Sequence, residues 1–144
     1  MAMVLKRKNV HPALKGGCTA CHFPHTSDFP ELLIAAYPAG NYAPASKDSF
    51  DLCFQCHDTD LLEKEVTTTA TNFRNGSQNL HYKHMRGNKA RNCTNCHDVH
   101  ASDNDHLIAD KVPFGKWMLP IKYTVQENGG TCRSGCHSQK QYTR

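Results

Sequence analysis

The chain has 144 residues, enough for one domain, and 17 basic and 13 acidic side chains give it a formal charge of +4. Only 38% of the residues are hydrophobic, which excludes a large aliphatic core, and no apolar stretch is long enough to span a membrane. Its 8 cysteines and 10 histidines are unusually many for this length.

The chain divides into two similar segments joined by a linker. After a basic start at residues 1–9, interpreted as solvated and mobile, the first segment covers residues 10–57 and the second covers residues 83–137. Each has a histidine, a close cysteine pair, a hydrophobic pair and a second close cysteine pair in the same order. Residues 58–82 are the predicted linker. We therefore expect one domain built of two repeats.

Little regular secondary structure is expected. Short helices are predicted around the cysteine pairs and at residues 30–37. The threonine-rich run at residues 67–71 is compatible with one short strand or with an extended linker. Residues 110–131 contain prolines and glycines and are predicted to be an irregular connection. The predicted fold class is mostly irregular with short α-helices and little or no sheet.

A histidine directly follows each of the four cysteine pairs. Three pairs have the spacing C-x-x-C-H, the signature of covalent haem attachment, and the fourth has one extra residue. Each sulfur would form a thioether with haem, and the adjacent histidine would be the proximal iron ligand. The pattern predicts four haem c groups. The cysteines and proximal histidines are Cys18, Cys21, Cys53, Cys56, Cys93, Cys96, Cys132, Cys136, His22, His57, His97 and His137.

Zinc, disulfides and the irregular fourth motif have to be weighed against this interpretation. Zinc ribbons also use C-x-x-C pairs, but they need no histidine after each pair. A disulfide framework fits a small exported protein but does not explain the placement of these cysteines. In the fourth motif, Gly135 can adopt backbone angles closed to other residues, so the extra residue can loop out.

The remaining six histidines are candidates for the second axial position. The symmetry of the two segments favours His11, His25, His84 and His100, with His81 and His106 as alternates. Methionine is also an axial ligand in cytochromes c, which makes Met3, Met85 and Met118 further candidates. Because more histidines remain than the four second axial positions require, we predict bis-histidine ligation of all four irons.

On these motifs the chain resembles the doubled C-x-x-C-H multihaem cytochromes c. The resemblance implies a haem-cored fold in which closely spaced haems transfer electrons. It also implies that the histidine three places after a proximal one ligates a neighbouring haem, which would make His25 and His100 bridges. Extracellular cytochrome filaments have similar sequences, so self-association is an alternative role. The aromatic residues expected to pack the haems are Phe23, Phe29, Phe54 and Tyr82.

Haem changes the expected partners. Four haems contribute a net charge of roughly −4 when oxidised and roughly −8 when reduced. This charge offsets the positive charge of the chain, so the basic composition no longer indicates nucleic acid as a partner. We expect redox proteins or extracellular electron acceptors as partners, and no membrane span. Haem attachment follows export, so a periplasmic or extracellular location is predicted, with the signal peptide not in this chain. A reductase would need an iron with an open position, so an electron carrier that is not an enzyme is favoured.

Overall fold

The computed structural model describes residues 3–43, 45–87 and 89–144. The α-helices are short: α1 is Asp51–Phe54, α2 is Asp60–Glu63 and α3 is Leu80–Met85. Single 3₁₀ turns lie at Val4–Lys6, Pro12–Gly16, Cys18–Ala20, Pro30–Leu32, Asp48–Phe50, Cys93–Asn95 and Asp105–Leu107. The helix expected over residues 30–37 is wrong, because only Pro30–Leu32 forms a turn there and both Glu31 and Leu32 have positive φ.

The described residues form three antiparallel sheets. Strand β1 (Asn9–Val10) pairs with β4 (Ala101–Ser102), and β2 (Arg74–Asn75) pairs with β3 (Gln78–Asn79). The largest sheet is a meander of four strands in the order β5-β6-β7-β8. These strands are Lys111–Phe114, Trp117–Gln126, Gly129–Ser134 and Lys140–Thr143.

The meander corrects the predicted fold class. Among the described residues 28% are strand and 26% are helix, so the expectation of a mostly irregular chain with little or no sheet is wrong. Residues 110–131, expected to be an irregular connection, contain β5, β6 and the start of β7.

The side chains of β6 explain why this segment forms a strand. Leu119, Ile121 and Tyr123 are partly buried and alternate with exposed neighbours, the period of two that defines a half-buried strand. Pro120 cannot donate a backbone hydrogen bond, but β6 pairs with β5 up to Pro120 and with β7 from Ile121 onward. At Gly130 a Cβ would lie 2.7 Å from the Thr124 carbonyl oxygen, so close approach requires glycine. Pro120 and Gly130 therefore belong to paired strands, although prolines and glycines are more typical of loops.

The apolar core is small, as the composition predicts. Its main cluster is formed by the buried residues Ala43, Phe50, Leu62 and Met85. Phe54 packs against this cluster, whereas Phe23 and Phe29 are 56% and 38% exposed. Tyr82 is partly buried beneath the Arg86 guanidinium, which lies 5.0 Å from its ring centre.

The basic start of the chain contacts the second segment. Arg7 pairs with Asp103 at 3.3 Å and Lys8 pairs with Asp105 at 3.2 Å. The pairing of β1 with β4 continues this contact along the backbone. The start expected to be solvated therefore joins the two repeats.

Candidate functional site

The first three cysteine motifs fold into the same turn. In each, the N–H groups of the second cysteine and of the histidine both donate to the carbonyl of the first cysteine. The bond from the histidine is 3.0 Å long in residues 18–22, 3.0 Å in residues 53–57 and 2.9 Å in residues 93–97. This turn holds two sulfurs and one imidazole within five residues.

The fourth motif has a different backbone. Cys132 lies in β7, while Cys136 and His137 lie in the connection to β8. The His137 N–H donates to the Ser134 carbonyl at 3.3 Å, and its imidazole Nδ1–H donates to the Ser138 carbonyl at 2.6 Å. The meander therefore presents this motif, without the turn that the other three share.

The extra glycine of that motif is required by lack of space. A Cβ at Gly135 would lie 2.6 Å from the Cβ of Leu119 on β6. Its φ is not in the left-handed region, unlike that of the turn glycine Gly115. The close approach of β6, and not the unusual backbone angle expected from the sequence, explains the glycine.

Main-chain carbonyls orient the His22 and His97 imidazoles. The Nδ1–H of His22 donates to the Glu31 carbonyl and that of His97 to the His106 carbonyl, both at 2.9 Å. Because a carbonyl only accepts, the proton is on Nδ1 and Nε2 is free to bind metal. Glu31 and His106 have φ of 58° and 55°, which costs an L-residue about 1–2 kcal/mol. Backbone strain thus accompanies the carbonyls that hold the proximal histidines.

Each proximal histidine faces one other histidine. The ring centroids in these imidazole pairs are 6.1 to 6.5 Å apart, and no histidine belongs to two pairs. The pairs are His11–His57, His22–His100, His81–His97 and His84–His137.

The spacing of the imidazole pairs fits one metal ion between the two rings. Two metal–nitrogen bonds of about 2.0 Å, extended by the two ring radii, place the centroids roughly 6 Å apart. Burial lowers the pKa of His81 to about 4, and it also lowers the pKa values of His97 and His11. These imidazoles are therefore neutral near pH 7, the form that binds a metal.

Helix α3 positions two of the paired histidines, His81 and His84. Asn79 is fully buried and caps the helix, because its side-chain oxygen accepts the His81 N–H at 2.9 Å. The Asn79 amide also donates to the Lys64 carbonyl at 2.9 Å, which ties α3 to the end of α2. The His84 Nδ1–H donates to the Leu80 carbonyl at 2.6 Å and leaves Nε2 free.

His11 differs from the other paired histidines in its hydrogen bond. Its Nδ1 accepts the Ala13 N–H at 3.2 Å, as the cap of the turn Pro12–Gly16. The ring proton is consequently on Nε2. Metal binding through Nε2 requires that proton to leave or to move to Nδ1, with loss of the cap.

Successive cysteine motifs are neighbours in space. The pKa of the Cys21 thiol is raised by burial and then by Cys53 of the second motif. The pKa of Cys93 in the third motif is raised by a hydrogen bond with Cys53. Burial raises the pKa of Cys96 to about 11, with Cys132 of the fourth motif adding to the effect. Each motif therefore has a cysteine close enough to shift, or be shifted by, the pKa of a cysteine in the next motif.

Arg91 brings a positive charge to the third and fourth motifs. Its guanidinium carbon lies 4.5 Å from the centre of the Tyr42 ring, and Nη2 lies 3.7 Å from the Cys136 sulfur. Nη1 is buried without a hydrogen-bond partner among the described residues. Such a donor fits a carboxylate, and haem carries two as propionates.

One family model matches the chain. The model of the doubled CXXCH motif matches residues 11–61 and 84–115, which is more than half of the chain. The chain belongs to this family. The family is one of multihaem c-type cytochromes, which bind haem covalently, transfer electrons and are typically exported. The matched segments contain the first three motifs, and residues 132–137 lie outside them.

No curated protein and no solved structure matches this doubled-CXXCH cytochrome. The described part of the chain contains no helix long and apolar enough to cross a membrane. No disulfide joins any of the eight cysteines, and the described residues contain no group of three or more acidic, histidine or cysteine side chains arranged around a metal. A tetrahedral zinc site would need such a group.

The other candidate ligands of the cytochrome lie outside the imidazole pairs. His25 is exposed, and His106 contributes its carbonyl to His97. Met85 is buried in the apolar core, while Met3 and Met118 are 83% and 57% exposed.

Sequence reasoning missed the parts of the site that hold its ligands. Asn79 had a signal, since asparagine before a histidine-rich segment is a helix start. Glu31 and His106 occupy the same position in the two repeats, but they act through carbonyls, which every residue has. Arg91 is one of many basic residues, and nothing local marks its Nη1 atom as buried.

Proposed function

We propose that this cytochrome carries four covalent haem c groups, each with two histidines on its iron, and passes electrons along them. The supporting observation is that the four proximal histidines face four different histidines. The proposed second ligands of haems one to four are His100, His11, His81 and His84. Relative to the sequence-based set, His81 replaces His25.

Haem supplies a one-electron redox couple, and the chain supplies its fixed surroundings. Two neutral imidazoles would hold each iron, and carbonyls that accept the Nδ1–H of His22 and His97 would limit rotation of those rings. With both axial positions taken, no iron could bind a substrate. This favours an electron carrier over a reductase.

The order of the motifs supports a path from the first haem to the fourth. A cysteine in one motif shifts the pKa of a cysteine in a neighbouring motif, and this holds for motifs one and two, two and three, and three and four. The proposed ligands of the second and third haems are also close to each other. Burial lowers the pKa of His81, and His57 lowers it further.

The proposed location is the periplasm or the outside of the cell, because haem is attached to this motif after export. Redox proteins or extracellular electron acceptors would be the partners. Assembly into a filament stays a prediction. All four imidazole pairs form within one chain, so such a filament would not need a neighbour to complete these irons.

A pyridine haemochrome assay with protein quantification tests the haem count. We expect four haems per chain, and three in a variant carrying Cys132→Ser and Cys136→Ser. A count of three in the unaltered protein, unchanged in that variant, would show that the fourth motif binds no haem. The spectrum of the oxidised protein should be low-spin for all of the iron.

A further inference from the structure

The threonine-rich part of the linker folds into turns that its own hydroxyl groups hold. Thr67 is buried, and its hydroxyl oxygen accepts the N–H groups of Thr69 at 3.2 Å and of Ala70 at 2.9 Å. The hydroxyl oxygen of Thr71 accepts the Phe73 N–H at 3.0 Å in the same way. Such local bonds from threonine side chains to backbone N–H groups favour turns over a regular strand. They fix the backbone on either side of Thr71.

This part of the linker contacts the imidazole of His81 on helix α3. The Thr71 hydroxyl oxygen lies 3.1 Å from Nδ1 of His81. The Phe73 ring lies against the same imidazole, with ring centroids 5.2 Å apart and ring planes at 76°. The Leu80 N–H donates to the Phe73 carbonyl at 3.1 Å, which attaches the linker to the start of α3. One hydrogen bond and one aromatic ring of the linker therefore hold His81.

The partner of His81 is chemically different from those of the other imidazoles. Main-chain carbonyls accept the Nδ1–H of four paired histidines, which are His22, His84, His97 and His137. For His81, a side-chain hydroxyl bonds Nδ1. When Nε2 binds iron, the ring proton is on Nδ1, so the imidazole donates and the hydroxyl oxygen accepts. A substitution can remove this acceptor, whereas every residue has a carbonyl.

We propose that Thr71 is a positioning residue of the haem in the third motif: its hydroxyl oxygen accepts the Nδ1–H of His81 and lowers the reduction potential of that haem. The proposal rests on the proposed function, in which His81 is the second ligand of this iron. An acceptor at Nδ1 raises the basicity of a metal-bound imidazole. A more basic ligand stabilises ferric iron more than ferrous iron, because the ferric ion has the higher charge.

The same contact fixes the plane of the His81 ring. The rings of His81 and His97 are close to parallel, with an angle of 16° between their planes. The His106 carbonyl holds the His97 ring at 2.9 Å, and Thr71 and Phe73 hold the His81 ring. Loss of the Thr71 hydroxyl would release one ring of one pair. The low-spin signal of a single haem should therefore change together with its potential.

The test compares Thr71→Val, which keeps the shape of the side chain without the hydroxyl, with Thr71→Ser, which keeps the hydroxyl. In the Thr71→Val holoprotein we expect one of the four potentials to rise. At the original midpoint of that haem, the ratio of reduced to oxidised haem should increase about threefold, as the loss of one modest hydrogen bond implies. Thr71→Ser should keep the original potentials. Spectroelectrochemical titration measures the potentials, and electron paramagnetic resonance follows the low-spin signals.

Thr67→Val is the matched control for damage to the linker. Its hydroxyl also holds two backbone N–H groups, but among the described residues it is not hydrogen-bonded to a histidine. We expect Thr67→Val to destabilise the linker without moving a potential. Unchanged potentials in Thr71→Val, or an equal rise in Thr67→Val, would overturn the proposal. Thr71→Ala also lacks the hydroxyl and should show the same rise, so it gives the measurement if Thr71→Val does not fold.

Carbon monoxide binding by the reduced proteins separates this proposal from the ligand set on which it rests. His81→Ala should bind one equivalent, and Thr71→Val should bind none, because His81 stays on the iron. If His81→Ala binds none, the proposed ligand of the third haem is wrong and the role of Thr71 fails with it. If His81→Ala binds one equivalent while Thr71→Val leaves all potentials unchanged, the role of Thr71 alone fails. Binding of one equivalent by Thr71→Val would mean that Thr71 retains the ligand instead of tuning it, which also contradicts the proposal.

Discussion

The imidazole of His22 in the first repeat faces the imidazole of His100 in the second, with ring centroids 6.3 Å apart and ring planes at 17°. The β1–β4 pairing holds the two repeats in that relation. The reverse contact is not formed, because His97 of the second repeat faces His81 and not His25. The first repeat therefore takes one proposed iron ligand from the second, whereas the second takes none from the first.

Loss of His100 should open the first haem. We expect His100→Ala to convert one quarter of the iron from low-spin to high-spin, since the proposed ligand comes from this side chain alone. His106→Asn is the control, because asparagine tolerates the left-handed conformation and keeps the carbonyl that holds His97. Electron paramagnetic resonance of the oxidised proteins measures the fraction. A fully low-spin His100→Ala protein would contradict the assignment.

Arg91 should raise the potential of the haem nearest to it. Reduction adds negative charge, so removing the cation by Arg91→Gln should lower one potential by an amount on the order of 50 mV. Arg133→Gln makes the same charge change at an exposed position of the fourth motif and should have a smaller effect, because water screens it. Spectroelectrochemical titration resolves the potentials. Equal shifts in the two variants would mean that the partial burial of Arg91 has no influence on the potential.

Tyr37 should stabilise the contact between its segment and the third motif. Its hydroxyl donates to the Thr94 hydroxyl at 3.0 Å and accepts the Thr94 N–H at 3.0 Å. We expect Tyr37→Phe to lower the free energy of unfolding by about 1 kcal/mol near neutral pH. Tyr42→Phe keeps the ring that contacts Arg91 and is the control, with an expected change below about 0.5 kcal/mol.

The Tyr37 effect should depend on pH. Burial raises the pKa of Tyr37 to about 12, while a tyrosine in the unfolded chain ionises near about 10. Between these values the folded state holds a proton that the unfolded state has lost, so stability falls as pH rises. Denaturant unfolding at about pH 8 and about pH 11 should show a smaller difference between the unaltered protein and Tyr37→Phe at the higher pH. A constant difference would contradict the raised pKa.

Gly135 should be sensitive to one added methyl group. The Cβ of Gly135→Ala would overlap Leu119, and we expect a loss of about 1–3 kcal/mol in unfolding free energy. Gly16→Ala is the matched control, because its Cβ would meet the nearest atom, the Ala20 Cβ, at 3.5 Å. Adding Leu119→Ala to Gly135→Ala should recover part of the loss if the clash is the cause. Thermal melts of the four proteins give the comparison.

The attachment motifs could be predicted from the sequence because they are local. Five consecutive residues specify each of the first three turns. The repeat pattern also singled out His11, His84 and His100, which lie in the imidazole pairs. The choice between His25 and His81 could not be made in this way, because it depends on how α3 docks through Asn79 and on which loop receives β1.

The meander shows a different limit of sequence reasoning. The alternation of Leu119, Ile121 and Tyr123 is typical of a strand. Pro120 and Gly130, however, are residue types that are typical of loops, and they favoured the prediction of an irregular connection. Their roles depend on the neighbours of β6, since β6 changes partner after Pro120 and Gly130 meets Thr124 closely. Contacts between residues far apart in the chain cannot be predicted from the residues next to Pro120 or Gly130.

The stoichiometry of carbon monoxide binding to the reduced protein tests the proposed ligand set most directly. Carbon monoxide binds a ferrous haem only where an axial position is open. We predict no binding by the unaltered protein, one equivalent per chain by His81→Ala and none by His25→Ala. Binding by the unaltered protein, or one equivalent by His25→Ala and none by His81→Ala, would contradict the assignment of four intrachain bis-histidine haems.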